Sequence, residues 1–301
     1  GQITHNEFYM LYHSTIYLNG QFTSNDRAYI SPDDRGFYFA DGVYEVIKYY
    51  KSKPFCFNEH MDRLKNSLKE IKIQFPQIEK LHEICDALIQ INEFKNQYAG
   101  VYIQITRGVA VRTHRFPPSE VTPTVFARAF LMNPYLDEMK NGVMVQTRED
   151  IRWLKCNVKS IGLLPNTMLF EEDASKGAFE CMLVRGGFVT EASHSNLIAV
   201  KEDKIYTHPD SNLILPGVTK ASVLNICKKN KIPVVEKPIQ ESDIYDFDEW
   251  FLTGTGSEIV PVIQINTTKI GHGKPGKMTR FIQNEFLKIT YQKLAGEPIN
   301  L

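Results

Sequence analysis

A two-domain α/β (α+β) fold is predicted for this 301-residue chain by three features of its sequence. Short runs of β-branched and aromatic residues alternate with stretches whose apolar residues recur at helical spacing, as in sheets covered by helices. A polar stretch opening on Asn133-Pro134-Tyr135 and closing before Gly142 has the composition of a linker. Hydrophobic residues at 43% and charged residues at 23% are the balance of an ordinary globular protein, with neither disorder nor a fibrous repeat. The expected division is a small N-terminal domain over 1–132, a linker over 133–141 and a larger C-terminal domain over 142–301.

The elements follow in order. Ile16 to Phe22 reads as a hairpin turning at Asn19-Gly20, the strongest short hairpin signal. Val43 to Tyr50 reads as a strand. Asn58 reads as the N-cap of a helix over Glu59 to Ile71, on which Met61, Leu64, Leu68 and Ile71 form a core stripe. A second helix is expected over Ile78 to Glu93, then strands at Val101 to Thr106 and Thr124 to Leu131. In the second half, strands are expected at Val143 to Thr147, Cys181 to Arg185, Asn196 to Val200 and Trp250 to Thr253. Helices are expected from Thr167 to Lys176, from Thr219 to Asn230, and from Met278 to Leu294 with Phe281, Ile282, Phe286 and Ile289 on one face.

Composition excludes several classes. The 35 basic and 35 acidic residues leave no formal net charge, so neither a nucleic-acid backbone nor an anionic membrane is an expected partner. No apolar run approaches the roughly 20 residues that cross a bilayer. Gly1 to Ser14, with His5, Asn6, Glu7 and His13, lacks the regions of a signal peptide. Five scattered cysteines without a C-x-x-C pair suggest neither zinc nor disulfides, and a cytoplasmic location is expected.

Gly271 to Lys277 matches the spacing of a phosphate-binding glycine loop. Met278, however, stands where a Ser or Thr must ligate magnesium, and Pro275 removes a backbone donor. A basic surface turn is the plainer reading, with a nucleotide-binding module as a remote alternative. Gly254-x-Gly256 follows a strand but lacks the third glycine of a dinucleotide loop. Two other anion-binding features remain. Leu215-Pro216-Gly217-Val218-Thr219 runs into a helix whose first N–H groups and Thr219 hydroxyl would face an anion. Thr253 to Ser257 offers further N–H groups and hydroxyls in a turn opened by glycine. Each alone is equally a helix cap or a turn; together they could hold a phosphate monoester. Lys159 and Glu191, the latter in a short polar loop between apolar strands, are unremarkable singly.

In order along the chain, Asp34-Arg35-Gly36-Phe37, Asp41-Gly42-Val43-Tyr44-Glu45, Asn58 to Leu64, Gln104 to Gly108, Asp150 to Ser160, Val189 to Asn196, Leu215 to Thr219 and Thr253 to Glu258 resemble the fold-type IV pyridoxal-phosphate enzymes. That class contains the D-amino acid and branched-chain aminotransferases and aminodeoxychorismate lyase. The resemblance, closest to the D-amino acid aminotransferases, runs from about Ile16 to Leu287. It implies a small N-terminal α/β domain and a larger, β-barrel-like C-terminal one. It implies that pyridoxal 5'-phosphate is the cofactor and Lys159 its Schiff-base lysine. Glu191 would pair with the pyridine nitrogen. Arg63, Val218, Thr219, Thr255, Gly254 and Ser195 would line the phosphate side, with Leu215 and Arg152 beside the ring.

The resemblance also implies that Arg112 and His114, an Arg-x-His pair on a loop, trap the substrate carboxylate together with Tyr44 across the interface of a homodimer. A guanidinium fork suits that task because it matches a carboxylate in two hydrogen bonds. The implied reaction is transamination of a D-amino acid such as D-alanine with a 2-oxo acid. A branched-chain L-amino acid aminotransferase and aminodeoxychorismate lyase are the alternatives. His194 and Gly254 stand where the D-enzymes usually carry serines, and Lys155 where arginine is common.

Overall fold

The computed structural model describes Thr4 and residues 13–301, so most of the segment read as lacking a signal peptide lies outside the described residues. The chain forms two compact units, one made of residues up to Asn133 with Val158–Gly162, the other of Pro134–Asn157 with Leu163–Leu301. The single boundary expected around 133–141 is therefore joined by a second exchange, because Val158 belongs to the apolar core of the first unit. Within the expected linker, Leu136–Asn141 is helical and buries Met139.

The first unit is an antiparallel sheet with two helices on one face. Strands β1 (Thr15–Leu18), β2 (Gln21–Ser24), β3 (Gly42–Tyr50), β4 (Lys53–Pro54), β5 (Tyr98–Thr106) and β6 (Thr124–Leu131) lie in the order β2-β1-β6-β5-β3-β4. Alternation along the strands sends Val43, Ile47 and Tyr49, with Val101, Ile103 and Ile105, to the face covered by the helices. A short helix, α1 (Arg35–Phe39), precedes β3, and the covering helices are α2 (Phe57–Glu70) and α3 (Leu81–Ile91). Met61, Leu64 and Leu68 of α2 are buried in that core as their spacing predicts, with Ile71 packed against it. Helix α2 begins before Asn58: Cys56 takes the N-cap position in the left-handed region, φ 54°, and turns the chain out of β4 early. Glu45 shares the apolar face of β3 and is completely buried, which decides its chemistry below.

The second unit is built on a mixed sheet. Strands β7 (Val143–Glu149), β8 (Glu180–Arg185), β9 (Phe188–Ala192), β10 (Asn196–Lys201), β11 (Lys204–Thr207), β12 (Val234–Glu236), β13 (Ile239–Gln240), β14 (Glu249–Gly254) and β15 (Glu258–Ile265) run in the order β12-β11-β10-β14-β15-β7-β8-β9-β13, curled as a half barrel. β16 (Thr268–Lys269) pairs with β15. The helices are α4 (Leu136–Asn141), α5 (Leu164–Ala174), α6 (Val218–Lys229), α7 (Lys277–Ile289) and α8 (Tyr291–Leu294). The expected last helix is thus two, broken at Thr290, whose hydroxyl donates to the Phe286 carbonyl at 2.8 Å. Its buried face carries Ile282, Gln283, Phe286 and Leu287, while Phe281 points outward.

The glycine loop before α7 is closed as a phosphate site. The Glu249 carboxylate accepts hydrogen bonds from the backbone N–H groups of Met278 (2.9 Å) and Thr279 (2.7 Å), where an anion would have to sit. A Cβ on Gly276 would fall 2.0 Å from that carboxylate carbon. The nucleotide-binding alternative has no foothold there.

Candidate active site

In the first unit the buried Glu45 meets two side chains one turn apart on α2. Arg63 donates from Nε to Oε1 (2.6 Å) and from Nη2 to Oε2 (2.8 Å), and His60 Nδ1 lies 2.8 Å from Oε2. Burial alone would raise the Glu45 carboxyl, but Arg63 and then His60 outweigh it and hold it down at about 2. Burial pushes His60 below the usual imidazole range, with the charges of Arg63 and Lys159 adding to that. Arg63 thus commits two donors to a carboxylate on β3.

Lys159 belongs to the same unit. Its backbone N–H donates to Ser67 Oγ (3.1 Å) and its carbonyl accepts from the Tyr44 N–H (3.0 Å), so the main chain is fixed on α2 and β3. Its ammonium lies 4.3 Å from the centre of the Tyr44 ring, which stacks on Tyr102 at 5.4 Å. Lys159 and Tyr44, far apart in sequence, are brought into contact.

The loop after β5 carries Arg112 and His114. Their side chains gather on Phe39, Arg112 at 5.1 Å and His114 at 5.6 Å from the ring, and Arg112 also lies over Tyr38 at 5.7 Å. Two residues of one exposed loop, each with donors an anion could use, thus pack against the same ring.

The second unit holds a larger cluster around Glu191. This residue is not in a loop, as its polar neighbours suggested, but in β9, which pairs with β8 and is buried from Val189 to Ala192. Arg152 Nη1 donates to Oε1 (2.5 Å), Asn196 Nδ2 to Oε2 (2.8 Å), and the Leu215 N–H to both oxygens (3.1 and 3.2 Å). Burial pushes the carboxyl up to about 7 against the pull of Arg152. Arg152 is shared with Asp150, which also receives Arg185 and the Thr190 hydroxyl. Burial would raise Asp150, yet Arg152 and Arg185 hold it at about 2.

Asn196 joins this carboxylate to both anion-binding stretches. Its Nδ2 donates to the Leu215 carbonyl at 3.0 Å, and it pairs with Thr253 across β10 and β14. A Cβ on Gly217 would stand 1.9 Å from Asn196 Oδ1, so the turn into α6 demands glycine for contact, not conformation. Helix α6 starts at Val218 and Thr219 with no side-chain cap. A Cβ at Gly254 would come 2.9 Å from Ser257 Oγ and 3.6 Å from Ser195 Cβ, which places the 254–257 turn, with Thr255, beside the Ser195 loop. The Thr253 hydroxyl is buried and has no hydrogen-bond partner among the described residues.

The Ser193–Ser195 loop is stapled from beneath by Glu180. This buried carboxylate accepts from the N–H and hydroxyl of Ser193, the N–H of His194 and the Ser195 hydroxyl, while His194 Nδ1 lies 3.0 Å away. His194, half exposed on Phe170 at 5.1 Å, thus stands within hydrogen-bond distance of a buried carboxylate. Burial would raise Glu180, but His194 and the serine donors lower it from its ordinary 4.5 to about 2. Its contribution to stability is therefore complete above about 4.5 and is lost as pH falls toward 2. Glu180→Gln is expected to melt lower at neutral pH, by roughly 2 kcal/mol, and to lose less on acidification than the parent; parallel melting curves from pH 6 to 3 would count against it.

The model of the family "Amino-transferase class IV" matches residues 42–265. The chain belongs to the class IV aminotransferases. It is 38% identical over 274 residues to D-alanine aminotransferase of Staphylococcus haemolyticus, covering 91% of this chain and 96% of that one. The same identity holds over 269 residues with D-alanine aminotransferase of Bacillus licheniformis, 89% and 94% of the two chains. In structure it is similar to the branched-chain amino acid aminotransferase of Escherichia coli, with TM-score 0.85 and 26% identity over 92% of this chain and 95% of that one.

A class IV aminotransferase works with pyridoxal phosphate, and the residues present fit that group. The unpartnered Thr253 hydroxyl, the uncapped start of α6 and the glycines at 217 and 254 suit a phosphate monoester. Glu191, buried and poised near neutrality, suits a basic ring nitrogen. Sequence reading missed Glu45, His60, Asp150 and Asn196 as parts of this aminotransferase's polar networks. Only Asn196 had a readable signal, an amide opening an apolar strand directly after the Glu191 loop.

Proposed function

We propose that this class IV aminotransferase transfers the amino group of a D-amino acid such as D-alanine to a 2-oxo acid such as 2-oxoglutarate or pyruvate. The observation that carries this reading is the 38% identity, over about nine-tenths of the chain, to the two D-alanine aminotransferases. The likeness to the branched-chain enzyme is 26% in sequence. The pairing of Arg112 and His114 on one ring supports it, since a carboxylate needs two convergent donors.

Bound pyridoxal phosphate supplies an electron sink for the charge left at the amino acid Cα when its proton departs. In this reading the Lys159 amine would hold the cofactor and would carry the Cα proton as general acid and base. Glu191 holds a proton at the ring nitrogen, a task suited to a carboxyl pushed up to about 7. Arg63, Val218, Thr219, Gly254, Thr255 and Ser195 hold the phosphate, and Leu215 and Arg152 lie by the ring. Tyr44, Arg112 and His114 orient the substrate carboxylate. The enzyme acts in the cytoplasm as a homodimer, where five free cysteines stay reduced.

The test is the visible absorption of the holoenzyme before and after D-alanine, with L-valine as control. Conversion of the bound cofactor by D-alanine alone supports the reading, and conversion by L-valine alone replaces it with the branched-chain activity. Arg112→Ala is expected to raise the KM for D-alanine roughly 10- to 100-fold, the scale of a lost charge-assisted fork, with kcat much less affected. An unchanged KM would remove Arg112 from the substrate site.

A further inference from the structure

Beneath the Arg112 loop lie two buried arginines that share one aspartate, with an exposed aromatic ring against them. Arg35 Nη1 donates to the carbonyls of Thr113 (2.7 Å) and Arg115 (3.4 Å), the residues on either side of His114. Arg35 Nε is held by Asp41 Oδ2 at 2.7 Å. The same oxygen takes Arg107 Nε at 2.7 Å, and Arg107 Nη2 reaches Asp41 Oδ1 at 2.9 Å. Arg107 is anchored in turn to the Ile71 (2.7 Å) and Lys72 (3.1 Å) carbonyls, at the end of α2. Its guanidinium lies 3.6 Å from the centre of the Phe116 ring, and Arg35 lies 6.0 Å from the same ring.

Phe116 is 56% exposed, so the apolar core does not hold it in place. Its contact with Arg107 is the visible reason for its position: a guanidinium whose hydrogen bonds all lie in its plane leaves its face for an aromatic ring. Pro117 follows and restricts the Phe116 backbone to extended conformations, so the ring stays over the cation. The loop is therefore gripped on both sides of His114, through its backbone by Arg35 and at its end by Phe116 on Arg107. Phe39, the platform for Arg112 and His114, also lies over Arg35, at 4.7 Å.

We infer that Phe116 is a positioning residue for substrate recognition, locking the loop so that Arg112 and His114 meet a carboxylate pre-arranged rather than mobile. This rests on the carboxylate role proposed for those two residues. Every substrate of either half-reaction carries that carboxylate, so loosening the loop weakens the amino acid and the 2-oxo acid alike. Neither the attachment of the cofactor nor the proton transfer at Cα changes with it.

The experiment compares the Phe116→Ala, Phe116→Tyr and Arg112→Ala holoenzymes with the parent. Phe116→Ala is expected to raise KM for both D-alanine and 2-oxoglutarate about 5- to 20-fold with kcat within about twofold, while Phe116→Tyr, which keeps the ring face, restores both. Limited trypsin digestion reads the loop directly: cleavage after Arg112 and Arg115 is expected to accelerate in Phe116→Ala and to return to the parental rate in Phe116→Tyr. If Arg112→Ala raises KM while Phe116→Ala leaves KM and cleavage at parental values, the positioning role is overturned and the carboxylate site stands. If Phe116→Ala lowers kcat and melting temperature together with KM, the residue is structural and the inference fails. If Arg112→Ala leaves KM unchanged, the carboxylate reading itself falls and takes this one with it.

Discussion

Turnover of the Lys159→Ala variant is expected to fall roughly 10⁴-fold or more, the combined cost of losing cofactor attachment and a positioned acid-base group. The fold should survive the change. The Lys159 main chain, not its side chain, makes the hydrogen bonds to Ser67 and Tyr44, and alanine keeps both. The ammonium lies over the Tyr44 ring, a contact worth about 0.5–1 kcal/mol, and its charge adds to what holds His60 below the usual imidazole range. The melting temperature should therefore move by a few degrees at most while the visible band of the bound cofactor is lost on dialysis. Steady-state rates and a thermal melt of the same preparation decide the matter: turnover near the parental value would remove Lys159 from the chemistry, whatever the family.

The second large effect belongs to Glu191. Glu191→Gln is nearly isosteric and keeps an acceptor for the Asn196 and Leu215 donors, and Arg152 retains Asp150 as a counter-charge. Stability should change by about 1 kcal/mol. Turnover should fall roughly 10²- to 10³-fold, because an amide cannot hold a proton at the ring nitrogen as a carboxyl pushed up to about 7 can. The cofactor should stay bound, since its phosphate is held elsewhere. A Glu191→Gln enzyme with parental kcat would show that its carboxyl is structural, one more member of the network built on Asp150 and Arg152.

Periodicity and turn chemistry are local properties, and they were legible. The Asn19-Gly20 hairpin, the apolar stripe of α2 and the strand over Thr124 to Leu131 follow from side-chain spacing alone, because each depends only on which residues face one side of one element. Errors arose where a neighbour decided. Glu191 reads as polar loop because its flanks are polar, yet the pairing of β9 with β8 takes it into the sheet. Gly271 to Lys277 reads as a surface turn with only the spacing of a phosphate loop, but the carboxylate that closes it, Glu249 from the start of β14, is invisible to local sequence.

By itself the sequence determined the class of the fold and the order of its elements, and the motifs that carry the family resemblance singled out Lys159, Glu191 and the two glycine-bearing turns as candidates. The tertiary structure alone decided the electrostatics. Glu45 and Glu180 are held near 2 and Glu191 near 7 by guanidiniums, imidazoles and amides some 15 or more residues away in the chain for the most part, and Asp150 near 2 by Arg152 beside it and the more distant Arg185, together with a burial that no local pattern expresses. The same holds for the grip of Arg35 and Phe116 on the Arg112 loop. Periodicity records which side of an element is apolar, whereas a pKa or a positioned loop depends on distances between elements, and those exist only after the chain has packed.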